Sequence, residues 1–259
     1  MWWIVPLAVI VVLVAAAGVV IGPFLLLKRL PKRAEINGMV LVKDGMVSAG
    51  LVPLGEHEAA LVDAGNDAEA KAILGELARC GMGPDDVKYI LLTHSDSDHI
   101  GGARKFPKAQ VMALAAEAEA AASGSSGGAA MVRSRTSKKK TVRLARTLQD
   151  GDVVQVGPFQ VRVFAVPGHT PGSAAYAIGG NLFLGDSANQ DRRGRLRAAP
   201  GILTKNTAQN RKSLAELARR LAGDSSIKTL VFGHSAPLER GIAPLLEFAA
   251  SQSTTPGPS

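Results

Sequence analysis

The chain has 259 residues, one cysteine and a formal net charge of +8: enough length for one sizeable domain or two small ones, and too few thiols for an internal disulfide framework. The charge is local. Lys28–Arg33, Arg133–Arg146 and Arg192–Arg197 hold 15 of the 30 basic residues and no acid, so the remainder carries 15 basic against 22 acidic residues. That distribution, with aromatics at only 4%, excludes a uniformly basic protein that reads nucleic acid by stacking.

From Trp2 to Leu27 there is no charged residue. At about 1.5 Å rise per residue a helix over this stretch spans roughly 40 Å, more than the ~30 Å hydrocarbon core requires. Trp2 and Trp3 suit one interface, and Lys28, Arg29, Lys32 and Arg33 follow at once. The expectation is a single transmembrane anchor over residues 1–30 with the rest of the chain cytoplasmic by the positive-inside rule. A cleaved signal peptide fits less well, because no basic segment precedes the apolar run and that run is too long.

The body, residues 31–250, reads as strands alternating with helices. Residues 39–52 and 58–65 are short strands joined by Gly turns. Asn66 or Asp67 caps a helix over 68–80 that Gly81 closes. Strands follow at 87–93 and 109–114, then an Ala/Glu-rich helix at 115–122. The Ser/Gly-rich and basic stretch 123–140 reads as a loop. Strands are expected again at 152–157, 159–168, 174–180 and 181–186. Leu214, Leu217, Ala218 and Leu221 give a helix over 207–224; a strand at 227–234, a helix ending near Ala250 and a tail at 251–259 complete the chain. Two halves of strands followed by helix suggest sheets covered by helices on their outer faces.

Four of the five histidines sit just past the end of a predicted buried strand: His94 and His99 in "THSDSDHIGG", His169 in "VPGHTPGS" and His234 in "VFGHS". Asp96 and Asp98 lie among them, and Asp186 follows its strand in the same way in "LFLGDS". Strand ends on one sheet edge let polar groups converge without opening the core, and imidazole and carboxylate are the ligands of zinc and related divalent ions. One such histidine is usually a polar turn residue; four, with aspartates, point to metal. Pro167, Gly168, Pro171 and Gly172 shape the His169 turn, and Gly101-Gly102 lets a helix begin close to the His94–His99 loop. His57 reads as a surface residue, Tyr89 and Tyr176 as core, and Cys80, beside Gly81 at a helix end, as a structural thiol.

These pieces, with "LVDAG" around Asp63, resemble in content and order the metallo-β-lactamase-fold superfamily of metallo-hydrolases, and within it the glyoxalase II-like branch. The resemblance covers residues 35 to 240. It implies an α/β fold, a four-layer αββα sandwich with a metal site at the shared edge of its two sheets. It implies that His94, Asp96 and His169 hold one divalent ion and Asp98, His99 and His234 a second, with Asp186 bridging. Asp63 would hold the metal loop without binding metal. Two such ions about 3.5–4 Å apart share and deprotonate a water, Asp98 orients it, and an ester, thioester or lactone is cleaved.

The motif departs from the family's H-x-H-x-D-H, since an aspartate, Asp96, stands where a histidine is usual. Carboxylate makes that site harder, so zinc is expected with better tolerance of Mn²⁺ or Fe²⁺. The H-x-D-x-D-H form also resembles the hydrolase domain of competence-type DNA-uptake proteins, which implies a phosphodiesterase or nuclease as the alternative. A non-catalytic metal-binding scaffold is a third reading. Arg192, Arg193 and Arg195 follow Asp186 closely and suit either an anionic small-molecule substrate or lipid headgroups beside the anchor. The scarcity of aromatics argues against a nucleic-acid partner.

Overall fold

The computed structural model of the chain describes Gly22, residues 25–124 and residues 140–253. The anchor expected over residues 1–30 falls largely outside them, as do residues 133–139 of the second basic run and residues 254–259 of the expected tail. Among the described residues no helix is long and apolar enough to cross a membrane.

The first half of the chain builds a seven-stranded sheet in simple sequence order: β1 (Arg33–Ile36), β2 (Met39–Asp44), β3 (Val47–Gly55), β4 (Glu58–Val62), β5 (Val87–Leu91), β6 (Gln110–Leu114) and β7 (Arg146–Leu148). The early strands pair antiparallel, whereas β4 to β7 run parallel. The second half builds a five-stranded sheet from β8 (Val153–Val156), β9 (Phe159–Ala165), β10 (Ala174–Ile178), β11 (Asn181–Phe183) and β14 (Thr229–Val231), in the order β14-β11-β10-β9-β8. A small hairpin, β12 (Ala188–Gln190) with β13 (Leu196–Ala198), stands apart. Helices lying wholly within the described residues are α1 (Lys71–Arg79), α2 (Ala118–Ser123), α3 (Thr207–Arg220) and α4 (Ala243–Ser253).

The period of two along each strand divides its side chains between two apolar layers. Leu41, Val52, Val62 and Leu91 of the first sheet meet Val161, Val163, Tyr176 and Phe183 of the second in a core between the sheets. The alternate residues Val40, Leu51, Leu61 and Ile90 face outward onto Ile73 and Leu77 of α1. On the far side, Phe164, Ala175, Leu182 and Leu230 pack on Leu214, Leu217 and Leu221 with Leu245 and Phe248. Helix, sheet, sheet and helix therefore form four layers, as the resemblance implies.

Several boundaries differ from expectation. Helix α1 begins at Lys71, not 68, because Ala70 sits at φ 49° and breaks the regular turn. Asp67 still tends the helix start, accepting from Glu69 N (3.0 Å) and Lys71 N (3.3 Å). Gly101-Gly102 precedes a single 3₁₀ turn, Ala103–Lys105, in place of the expected helix. Those glycines instead lie flat on the neighbouring loop, with Gly101 N donating to Gly65 O and Gly102 N to Ala64 O. The last helix continues to Ser253, three residues into the expected tail. Strands β1, β7, β12 and β13 were not anticipated: each has only three or four residues and no clear alternation, so neighbouring strands define them.

One consequence of the topology positions the site. β10 is antiparallel to both β9 and β11, and β14 is parallel to β11, so β9, β11 and β14 point the same way. Their C-terminal ends meet that of β5, where Ala174 N donates to Thr93 O at 2.8 Å and ties the two sheets together.

Candidate metal centre

The loops leaving β5, β9, β11 and β14 deliver His94 to His99, His169, Asp186 and His234 to one point. The seven side chains named from the sequence converge there. His169 Nε2 lies 3.4 Å from Asp96 Oδ2, and His94 Nε2 lies 3.7 Å from the same oxygen. His234 Nε2 is 3.3 Å from Asp98 Oδ2 and His99 Nε2 is 4.0 Å from it. Asp186 stands between, with Oδ1 3.2 Å from His99 Nε2, and Oδ2 3.0 Å from His234 Nε2 and 3.7 Å from His169 Nε2. In each of three sets, His94–Asp96–His169, His94–His99–Asp186 and Asp98–His99–His234, the donor atoms lie within 4.8 Å of one another.

The surrounding hydrogen bonds decide which imidazole nitrogen faces this point. Asp63 accepts from Thr93 N and Thr93 Oγ1, both at 2.8 Å, and from His99 Nδ1 at 2.8 Å. A carboxylate only accepts, so His99 carries a proton on Nδ1 and turns Nε2 to the cluster. The Thr93 hydroxyl proton is committed to Asp63, so Thr93 Oγ1 accepts from His94 Nδ1 at 3.1 Å, and His94 Nε2 faces the cluster too. His234 Nδ1 donates to the Met46 carbonyl at 2.7 Å and aims Nε2 inward by the same logic. Asp63 thus orients two histidines without reaching the cluster itself, the kind of support that fixes ligand geometry in metal sites.

The electrostatics call for positive charge. Burial opposes protonation of His94 and His99, yet neighbouring carboxylates raise both above the ordinary imidazole value, Asp96 and Asp186 acting on the first and Asp186, Asp63 and Asp98 on the second. His234 is likewise pushed up to about 10 by Asp186 and Asp98 against its burial. Burial would raise the aspartates, but the histidines hold Asp98 down to about 2 and keep Asp96 and Asp186 below the usual carboxylate range. Nε2 of His94, His99 and His169, with Asp186 Oδ1, are buried and make no hydrogen bond. Leaving such groups unmatched costs about 1–3 kcal/mol each. A donor set of imidazole nitrogen and carboxylate oxygen around a negative volume suits divalent cations of the zinc type.

Three features were not named from the sequence. Glu117, fully buried, accepts from Ser95 N (2.9 Å) and Ser95 Oγ with one oxygen, and from Thr170 Oγ1 (2.6 Å) and Gly172 N (3.0 Å) with the other. It clamps the His94–His99 loop to the His169 turn. In "ALAAEAEAAA" it looks like Glu119, a helix-surface residue, and no sequence signal separates the two. Gly233 is required by close approach, since a Cβ there would meet Asp186 Oδ1 at 2.2 Å. Lys140 donates to Asn66 Oδ1 (2.8 Å) and Ser97 O (3.1 Å), bracing the outside of the same loop.

The arginines make other contacts. Arg195 and Arg197 pair with Asp191 at 2.9 and 3.2 Å, and Arg192 N donates to Leu26 O at 3.1 Å, so this loop runs beside residues 26–28. None of Arg192, Arg193 and Arg195 is in an ion pair with the His/Asp cluster among the described residues. His57 is exposed at a turn, Cys80 is exposed at the end of α1, and Tyr176 is core, its hydroxyl donating to Leu92 O at 2.8 Å.

The model of the metallo-beta-lactamase superfamily matches residues 42–234, a span that includes every residue of the cluster. The chain belongs to the metallo-beta-lactamase superfamily. Among curated relatives of this superfamily member, a hydroxyacylglutathione hydrolase of Gloeobacter violaceus is 35% identical over 135 residues, 51% of this chain and 46% of the relative. A probable metallo-hydrolase of Mycobacterium tuberculosis is 32% identical over 157 residues, 55% of this chain and 49% of the relative. The chain spans about half the length of the curated relatives it matches. Among solved structures, a Cronobacter sakazakii metallo-beta-lactamase with a HARLDQ motif superposes with TM-score 0.65 at 22% identity, covering 89% of this chain and 94% of that one. A Thermus thermophilus metallo-beta-lactamase family protein gives 0.61 at 25% identity, covering 85% and 81%. These likenesses concern the fold.

Proposed function

We propose that the chain is a metal-dependent hydrolase that uses water to cleave an acyl ester, thioester or lactone. The observation that carries this reading is the set of buried Nε2 atoms, with Asp186 Oδ1, that make no hydrogen bond and are turned on one volume. His94, Asp96 and His169 would hold one divalent cation and Asp98, His99 and His234 the other, with Asp186, in reach of histidines from both sets, shared between them. Zinc is the expected ion, with Asp96 widening tolerance to Mn²⁺ and Fe²⁺. Such a pair supplies Lewis acidity and a water acidic enough to act as a nucleophile near neutral pH.

The chain's own groups do the rest. Asp98 is the most exposed of the three aspartates, its side chain 35% accessible against 15% for Asp96 and 12% for Asp186, so it faces an incoming substrate. Held at about 2, it is ionised at neutral pH and accepts the proton of the attacking water. With a thioester, the water oxygen bonds to the carbonyl carbon, the C–S bond breaks, and the departing sulfur takes up the proton from Asp98, giving an acid and a thiol. The hydroxyacylglutathione hydrolases, whose named substrate is a thioester, support the acyl-transfer class. A membrane anchor over residues 1–30 with a cytoplasmic domain is part of the same proposal, supported by the uncharged run to Leu27 and the basic residues that follow it.

The test is a panel on the purified full chain in detergent, zinc- or manganese-loaded, against short acyl thioesters, lactones and bis-p-nitrophenyl phosphate. Thioester or lactone turnover is expected, with Asp98→Ala slowing it by roughly 10²–10⁴-fold. Turnover of the phosphodiester alone, or full activity in Asp98→Ala, would overturn the assignment.

A further inference from the structure

A cavity of about 360 Å³ adjoins the cluster on the His234 side. Lys28, Arg29 and Lys43 line it together with Leu27, Leu30 and Met46. Two observations make it a built part of the fold. The carbonyl of Met46, a wall residue, accepts the bond that orients His234, at 2.7 Å. Lys28 is pinned on both sides, its N–H donating to Gln190 O at 2.9 Å and its carbonyl accepting from Ala236 N at 3.1 Å. Leu27 adds a bridge to Asp191. The wall that residues 27–30 contribute is therefore held between the β12–β13 hairpin and the turn after His234.

The lining has two chemistries. Lys28, Arg29 and Lys43 make no ion pair among the described residues, unlike Arg195 and Arg197 on the neighbouring hairpin, which share Asp191. Of the apolar lining, Leu27 is buried while Met46 is 63% exposed, an adaptable surface. The volume is of the order of small-molecule sites, about 300–1,000 Å³.

We infer that this cavity is the recognition pocket for an amphiphilic acyl ester or thioester whose phosphate or carboxylate is held by Lys28, Arg29 and Lys43 and whose aliphatic stem lies on Leu27, Leu30 and Met46. The inference rests on the hydrolase reading above and names its substrate class. Unpaired cations at a water-exposed wall gain charge-assisted hydrogen bonds from an anion. The bound ester is thereby brought alongside His234. Such an amphiphile can come from solution or from a bilayer, and the chemistry of the pocket is the same for both.

The test compares two thioesters of equal acyl length that differ in one charge: S-octanoyl-3-mercaptopropionate and S-octanoyl-2-mercaptoethanol. The zinc-loaded full chain should favour the anionic one in kcat/KM, and Lys28→Gln/Lys43→Gln should lower that preference by about tenfold or more. Lys212→Gln, on the exposed face of α3, is the control and should keep the preference. Equal use of both thioesters by the parent, or an unchanged preference in the double variant, would overturn the inference. Hexadecanoyl homologues in phosphatidylcholine vesicles separate the sources: faster turnover there than of monomeric octanoyl ester assigns the substrate to the bilayer, and the reverse assigns it to solution. If the parent cleaves neither thioester nor lactone, the hydrolase reading fails, and calorimetry with octyl phosphate then judges the pocket alone. Binding that weakens about tenfold in the double variant sustains the pocket, and no binding, or binding equal in both, ends it.

Discussion

Replacing Glu117 by glutamine tests how the two halves of the site are held in register. The carboxylate accepts four bonds, two from Ser95 on the loop after β5 and two from Thr170 and Gly172 on the turn after β9. An amide keeps one acceptor oxygen and puts an NH₂ where the other stood. Each side of the clamp offers one hydroxyl, which can turn to accept from that NH₂, and one backbone N–H, which cannot. Glu117→Gln therefore strands one buried N–H and removes one charge-assisted bond, at a cost of about 1.5–3 kcal/mol. For a domain of this size that is a fall in Tm of about 3–12 °C. Glu117→Ala strands both N–H groups and should cost about twice as much. Because the clamp joins His94, Asp96 and Asp98 to His169, zinc affinity measured by competition with a chromophoric chelator should fall about 10–100-fold in Glu117→Gln. Thermal melts of the stripped and zinc-loaded chain give both readouts. A Gln variant that melts within about 1 °C of the parent and binds zinc equally well would refute the clamp, since one stranded N–H alone exceeds that shift.

Other outcomes follow from the same geometry. Asp96→His restores the family's usual donor pattern; it should retain hydrolysis and shift preference from Mn²⁺ toward Zn²⁺ by roughly tenfold or more in relative affinity, read by metal competition. The metal-free protein should show a distinct pH profile. His234, raised from 6.5 to about 10, contributes stability that is complete below pH 6.5 and lost as pH rises through 10. Asp98, lowered from 3.8 to about 2, contributes stability present above pH 3.8 and lost as pH falls through 2. Chelator-stripped protein should therefore melt highest between about pH 4 and 6.5 and lose Tm steadily toward pH 10, and a flat profile from pH 6.5 to 10 would contradict the charge assignment. Zinc uptake displaces protons from the same histidines, so zinc affinity should weaken as pH falls.

Sequence reading located the cluster because its logic is periodic: buried strands ending at a common edge, each followed by His or Asp within a few residues. The layering was legible in the two halves, each of strands followed by helix, whereas the division of Val40 and Leu51 from Leu41 and Val52 between two apolar layers is seen in the fold. What stayed hidden depends on contacts between distant segments. Glu117 and Glu119 sit in the same alanine-rich context, and only the fold buries the first beneath Ser95 and Thr170. Gly233 reads as an ordinary turn glycine until Asp186 lies against it. The arginines near Asp191 follow Asp186 closely in the chain, but only the fold shows that Arg195 shares a carboxylate with Arg197 and that Arg192 N bonds Leu26 O. The cationic pocket draws Lys28 and Arg29 from one segment and Lys43 from another, a grouping that no local pattern announces.

In the proposed hydrolase, His94, Asp96, Asp98, His99, His169, Asp186 and His234 together hold two divalent cations. Metal analysis of the full chain, loaded with zinc, then desalted, tests it most directly. The account predicts about two equivalents per chain, falling in Asp186→Ala, where the shared carboxylate is gone. About one equivalent or fewer in the loaded parent would contradict it.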